Sequence, residues 1–214
     1  MATIAIIDYG MGNLHSVAKA LEHVSPKTRI LITQNANDLF SADRVIFPGQ
    51  GAIKACIDAL RQLELIETLK EIAATKPFLG LCLGPQALFD YSEENGGVNG
   101  LGILLGIVKR FPIDFHDPIT QERLKTPHMG WNQVNQTTMH YLWQKIPQDS
   151  RFYFVHSFYL EPEILKTVAG LTVYGFSFAS AVTKDNIFAV QFHPEKSARV
   201  GLQFLANFVR WQPN

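Results

Sequence analysis

What most constrains this chain is an alternation of buried strands and one-sided helices in its first part. Residues 3–7 form a short, nearly continuous apolar run that ends at Asp8. Such a run suits a strand buried on both faces, as in a parallel sheet. Leu14, Val17, Ala18 and Leu21 then recur at helical spacing, with Asn13 where an N-cap belongs. Further strands are predicted at 29–33, 44–47 and 77–81. Between them Ile53, Cys56, Ile57, Leu60 and Leu63 make a helical stripe that Ile66, Leu69, Ile72 and Ala73 continue. A helix is predicted over 85–91. Strand and helix in turn predict an α/β fold with a doubly wound, mostly parallel central sheet.

Beyond residue 95 the pattern changes. Glycine and proline become frequent, and the apolar runs are short and aromatic, at 103–108, 131–134, 151–157 and 167–174. Runs at 179–183 and 187–192 flank Lys184-Asp185-Asn186, a hairpin turn. These strands predict an antiparallel extension of the sheet. Phe204, Leu205, Phe208 and Val209 give a closing amphipathic helix that returns to the first half. No repeat or long linker divides the sequence, so residues 1–214 read as one domain.

Composition removes several functions. Hydrophobic residues are 47% and charged residues 18%, a globular balance. Lys+Arg and Asp+Glu are both 19, with no basic stripe, which argues against nucleic acid or an anionic membrane as partner. No stretch nears the roughly 18 apolar residues that span a bilayer. The amino-terminal apolar run is too short for a signal peptide and lacks a basic flank. Two cysteines build no disulfide framework, so a reducing, cytoplasmic setting is expected. Fifteen Phe and three Trp at zero net charge leave apolar surface for a protein partner.

The sharpest local feature is Pro77-Phe78-Leu79-Gly80-Leu81-Cys82-Leu83-Gly84-Pro85-Gln86. A buried strand runs into a cysteine, and a helix follows at once. This is the thiol form of a nucleophile elbow, with Gly80 and Gly84 where a tight turn excludes side chains. The helix N-terminus favours thiolate at Cys82, and the Leu83 N–H is expected to be free for an oxyanion. Cys56 lies on the apolar stripe of a helix and reads as a structural thiol.

A cysteine nucleophile needs a base. Of seven histidines, His193 stands at the end of an apolar strand in Gln191-Phe192-His193-Pro194-Glu195. Sites form at that edge of an α/β sheet. Glu195 can leave the same side of the turn and hold the imidazole tautomer. His156 is the alternative base. Gly10-Met11-Gly12-Asn13-Leu14-His15 begins like a dinucleotide fingerprint, but His15 occupies its third glycine position. The scattered histidines and cysteines have no structural-zinc spacing, so neither a metal nor a cofactor is expected. Trp131, Trp143 and Trp211 read as core or interface residues.

The elbow at Cys82 and the segment Phe192-His193-Pro194-Glu195 resemble the triad-type, class I glutamine amidotransferases. Within them, five further segments are similar to the glutaminase subunits of imidazole glycerol phosphate synthase. They are the opening segment 7–14, Pro48-Gly49-Gln50-Gly51, Pro127-His128-Met129-Gly130-Trp131-Asn132, the segment 152–157, and 192–197 with Lys196 and Ser197. The resemblance covers essentially the whole chain. It implies that glutamine acylates Cys82, that His193 moves the protons and that Glu195 orients His193. It implies that Gln86, with the backbone at Ser157 and Phe158, holds the amino-acid end of L-glutamine. It makes Pro48 to Gly51 an oxyanion strand, with the Gln50 N–H turned toward the intermediate in the active state and Gly49 letting that peptide rotate. It places His128, Met129, Gly130, Trp131 and Asn132 toward a cyclase subunit that receives the ammonia. Two residues depart from the family: Gln50 replaces a small aliphatic residue, and Pro85 replaces methionine. A proline is tolerated in a first helical turn, so the elbow is expected to survive.

The residues by themselves give a cysteine hydrolase with a His/Glu pair. A glutaminase for a sugar-amidating synthase, a free-standing cysteine or γ-glutamyl hydrolase, and a non-enzymatic regulatory subunit are the alternatives.

Overall fold

A computed structural model describes residues 2–213. The first half alternates as its apolar pattern predicts. Strand β1 (Thr3–Ile7) leads to helix α1 (Leu14–Val24), capped by the Asn13 side chain on the Ser16 N–H. Then come β2 (Arg29–Thr33), α2 (Ala36–Ser41), β3 (Arg44–Phe47), α3 (Ile53–Gln62), α4 (Ile66–Thr75) and β4 (Phe78–Leu81). Helix α2 has six residues, too few to show a period in sequence; its Asn35 cap accepts from the Asn37 and Asp38 N–H groups.

Helix α5 spans Leu83–Leu88, and Pro85 sits in its first turn, where an N–H has no intrahelical acceptor. The helix expected over 85–91 therefore ends early, and Phe89–Ser92 is strand β5. The reason is tertiary. The carbonyls of Ala87 and Leu88 accept from the N–H groups of Leu101 and Ile103, at 2.8 and 2.9 Å, so the helix has no ladder to continue.

The remaining strands are β6 (Val98–Asn99), β7 (Leu104–Arg110), β8 (His128–Gln136), β9 (Ser150–His156), β10 (Phe158–Pro162), β11 (Val168–Tyr174), β12 (Phe176–Lys184) and β13 (Ile187–Val190), followed by α6 (Ala198–Arg210). The run read at 151–157 matches β9, but the sequence pattern predicts no strand at β10. The chain changes partners at Ser157, whose carbonyl accepts from the Phe111 N–H at 3.1 Å.

The sheet runs β2-β1-β3-β4-β13-β12-β10-β7-β5-β6, with β11, β8 and β9 branching from β12. Its half from β2 to β13 is parallel, and β12, β10 and β7 extend it antiparallel. Alternate residues of the parallel strands enter different cores. Ala5, Ile7, Val45 and Phe47 pack with Cys56, Leu60, Leu69 and Ile72 of α3 and α4. Ile4, Ile6, Ile46 and Leu79 pack with Val17 and Leu21 of α1 and Phe204, Leu205 and Phe208 of α6. Arg44 ties α6 to the sheet by donating to the carbonyls of Phe208 and Trp211 at 3.1 and 2.6 Å.

Candidate active site

Three neighbouring parallel strands end together. Phe47 of β3 lies beside Gly80 of β4, and Val190 of β13 beside Leu81. The residues that follow each strand therefore meet at one edge: Pro48 to Gly51, Cys82, and Gln191 to Glu195. Cys82 adopts φ 54°, ψ −90°, a left-handed backbone that a non-glycine residue enters only when held there. Its N–H donates to the Val190 carbonyl at 2.9 Å, and α5 begins at the next residue. A side chain at Gly84 would put its Cβ 2.1 Å from the Phe47 carbonyl oxygen, so this glycine is required by close approach.

His193 is fixed by its backbone and by its ring. Its N–H donates to the Tyr153 carbonyl at 2.9 Å, and its carbonyl accepts from the Ser197 hydroxyl at 2.6 Å. Its Nδ1 lies 2.8 Å from Glu195 Oε1, and the two side chains are only 7% and 2% exposed. A carboxylate only accepts, so the hydrogen sits on Nδ1 and Nε2 is left to work. Nε2 has no hydrogen-bond partner among the described residues, as expected of an atom that awaits a reacting group. Burial disfavours charge on this imidazole, but the Cys82 sulfur and the Glu195 carboxylate outweigh it and raise its pKa to about 10. With the sulfur and the carboxylate beside it, His193 favours its protonated form, a proton donor beside a sulfur nucleophile.

Cys56 is the opposite case. It is fully buried in the α3 core, and burial pushes its thiol up to about 12, against the lowering effect of its hydrogen bond with Tyr9. It has no base beside it.

The oxyanion donors are not set as the sequence suggested. The Leu83 N–H is occupied: it donates to the Gly49 carbonyl at 3.3 Å. The cause is the strand Pro48-Gly49-Gln50-Gly51, which is wedged so closely between the elbow and Tyr9 that a Cβ at Gly49 would fall 2.9 Å from Leu83 Cβ and 2.1 Å from the Tyr9 hydroxyl. That hydroxyl donates to the Pro48 carbonyl at 2.9 Å and helps hold the strand there.

Cys82 and His193 open on a cavity of about 340 Å³, within the ~300–1,000 Å³ range of small-ligand sites. Gln50, Gly51, Leu83, Gln86, Ser157 and Phe158 line it, as does His156. The segment 128–132 lies on β8, whose residues alternate inward and outward. Met129 and Trp131 are 61% and 44% exposed, whereas His128 is 3% exposed and turned inward. His128 therefore does not present its side chain to a partner. Among the described residues no cluster of His, Cys, Asp or Glu could hold a metal, and no helix is long and apolar enough to cross a membrane.

The family model for glutamine amidotransferase class-I matches residues 5–211. The chain belongs to the class I glutamine amidotransferase family. It is 58% identical to the imidazole glycerol phosphate synthase subunit HisH of Nitrosospira multiformis, over 100% of both chains. It is 56% identical to the HisH subunit of Nitrosococcus oceani, over 99% of this chain and 98% of that one. A crystal structure of a glutamine amidotransferase from Thermotoga maritima shares the fold, with a TM-score of 0.59 and 16% identity over 93% of this chain and 78% of that one.

Residues that sequence reasoning passed over also stand in or beside this site. Gln191 is fully buried; its Nε2 donates to the Cys82 carbonyl at 3.2 Å and its Oε1 accepts from Gln86 Nε2 at 3.0 Å. A glutamine inside an apolar strand could have marked it. Glu94 lines the cavity, one carboxylate oxygen accepting from the Ile53 N–H at 2.7 Å. Nothing in its glycine-rich turn announced it.

Proposed function

We propose that this chain hydrolyses L-glutamine at Cys82 and passes the ammonia to a cyclase subunit docked on the face that bears Met129 and Trp131. One observation carries the reading. A cysteine held at φ 54° shares a cavity with an imidazole whose other nitrogen is bonded to a carboxylate at 2.8 Å. The thiolate of Cys82 attacks the γ-carbonyl carbon, and the carbonyl oxygen takes the negative charge. The imidazolium of His193 gives its Nε2 proton to the departing nitrogen, the C–N bond breaks, and ammonia leaves a thioester on Cys82. Neutral His193 then takes a proton from water, hydroxide adds to the thioester, and glutamate leaves with the thiolate restored. Glu195 holds the tautomer throughout. No cofactor or metal enters these steps.

The cavity suits the rest of the substrate. The Ser157 and Phe158 carbonyls already accept from Phe111 N–H and His156 Nδ1, which leaves backbone N–H groups as what this segment could turn to an α-carboxylate. Glu94 supplies a carboxylate for the α-ammonium. The partner reading rests on exposed apolar groups in one place: Met129, Trp131 and Val173, the last 61% exposed and bonded through its carbonyl to Asn132. Ammonia from this site would let the cyclase form imidazole glycerol phosphate and aminoimidazole carboxamide ribonucleotide in histidine biosynthesis. We place the whole of residues 1–214 in this one amidotransferase unit, acting as a heterodimer in the cytoplasm, where both free, buried cysteines stay reduced.

The test is glutamate release by the chain with its cyclase subunit. Cys82→Ser should abolish release and leave complex formation intact. Turnover of γ-glutamyl peptides by the chain alone, or stimulation by a sugar-amidating synthase and not by the cyclase, would assign it elsewhere.

A further inference from the structure

A file of hydrogen bonds starts on strand β8, passes through two buried imidazoles and ends in the cavity wall, and no step of hydrolysis uses it. Asn132 Nδ2 lies 2.9 Å from the Val173 carbonyl oxygen and 3.2 Å from His128 Nε2. His128 Nδ1 lies 2.9 Å from His156 Nε2, and His156 Nδ1 lies 2.7 Å from the Phe158 carbonyl oxygen. The two imidazoles are 3% and 6% exposed.

The direction of this file is forced. A carbonyl only accepts, so His156 Nδ1 carries the hydrogen. In a neutral ring Nε2 then accepts, and the hydrogen between the rings belongs to His128 Nδ1. His128 Nε2 accepts in turn and must face the amide nitrogen of Asn132. That orientation also serves Asn132's other contacts, since its Oδ1 accepts from the Gln133 N–H at 2.8 Å. No member can reverse without setting two donors or two acceptors face to face. Burial keeps both rings neutral, lowering His128 to about 4 and, with repulsion from His128, His156 to about 3. Stacking fixes the His128 plane between Phe154 and Tyr174, with ring centroids 4.9 and 4.1 Å away.

The carbonyl at the end is tied to the nucleophile as well. Phe158 O accepts from Gln86 Nε2 at 3.4 Å, and Gln86 reaches the Cys82 carbonyl through Gln191. We propose that His128 and His156 are positioning residues for glutamine, whose one-directional hydrogen bonds anchor the Ser157–Phe158 wall of the cavity to strand β8 and set its distance from Cys82. The inference rests on the glutaminase reading above. Apolar side chains would fill the same space, but only a satisfied polar network fixes the orientation of the carbonyl.

The test contrasts two amides at His128, in the complex with the cyclase subunit. An asparagine places its amide nitrogen where Nδ1 stood and keeps the donor to His156. A glutamine reaches only the Nε2 position and loses that donor. His128→Gln should raise the KM for glutamine roughly ten-fold, the scale of one lost buried hydrogen bond. Its kcat should stay within about two-fold, and His128→Asn should hold KM within about three-fold of the parent. Equal KM values for the two variants, or a fall in kcat at unchanged KM, would overturn the proposal. Nitrogen NMR of the histidine-labelled full chain gives a second reading that needs no variant to fold. Both rings should show the neutral Nδ1–H tautomer, the minor form in water, and an Nε2–H signature at either ring would overturn it. If the parent complex releases no glutamate, the glutaminase reading fails, and the tautomers still decide the file.

Discussion

The Gly49 carbonyl bound to the Leu83 N–H should make the isolated chain a slow enzyme, by an amount the structure lets one bound. A neutral hydrogen bond contributes about 0.5–1.5 kcal/mol net, which by itself favours the occupied arrangement about two- to thirteen-fold. While it is occupied, the tetrahedral intermediate lacks the Leu83 donor, and losing one oxyanion donor costs about 10²–10³ in rate. Leakage through the occupied arrangement is therefore negligible against a population of about 7–30% with the Gly49–Gln50 peptide rotated. The basal rate then reads the rotated fraction directly. Stimulation should be about three- to fourteen-fold if this one bond sets the balance. It approaches the ~10²–10³ ceiling if the Tyr9 hydroxyl on Pro48 and the packing at Gly49 add to it. Glutamate release would be measured at steady state for the isolated chain, the bare complex with the cyclase subunit, and the complex carrying its nucleotide ligand. Gln50→Val should change the first rate more than the last, because Gln50 belongs to the peptide that rotates. Full-speed hydrolysis by the isolated chain, unchanged when the partner is added, would refute the gate.

Other outcomes follow from the same geometry. His193→Ala should be nearly inactive, whereas Glu195→Gln should keep some turnover, since one residue moves the proton and the other holds geometry; equal small losses would move the base elsewhere. Gly84→Ala forces a Cβ to 2.1 Å from the Phe47 carbonyl and should lower both Tm and activity, whereas a tolerated alanine would refute the close-packed elbow. Acid should destabilise the fold between about pH 6.5 and 4. His128, His140 and His156 are held by burial at about 4, 4 and 3, so the unfolded chain takes up protons first as pH falls. The two buried imidazoles of the file should cost roughly 2 kcal/mol each between pH 7 and 5. His193 runs the other way: its contribution is complete below about 6.5 and is lost as pH rises through about 10. Thermal unfolding across pH checks both edges, and a Tm unchanged from pH 7 to 5 would contradict the first.

The parallel half of the fold was legible because strands buried on both faces read as unbroken apolar runs, and their helices carry one-sided stripes. The elbow was legible because Gly80, Cys82 and Gly84 combine backbone demands with chemistry in a few residues. What escaped was decided by partners distant in sequence. Residues 89–92 leave the helix because residues 101 and 103 capture its last carbonyls. Strand β10 escaped because Phe158–Pro162 is a short segment held by pairing with β7, about fifty residues earlier. The Leu83 N–H looked free because the strand that covers it is more than thirty residues earlier. His128 was read with its exposed neighbours, although strand alternation turns it inward.

The most direct test of the triad is covalent. A glutamine-like electrophile added to the complex should label Cys82, as read by intact mass and peptide mapping. Saturating glutamine should protect it, and Cys56, held near 12 in the α3 core, should stay unmodified. Labelling at Cys56 with Cys82 untouched, or labelling of Cys82 that glutamine does not slow, would contradict the assignment of Cys82 as the nucleophile of a glutaminase.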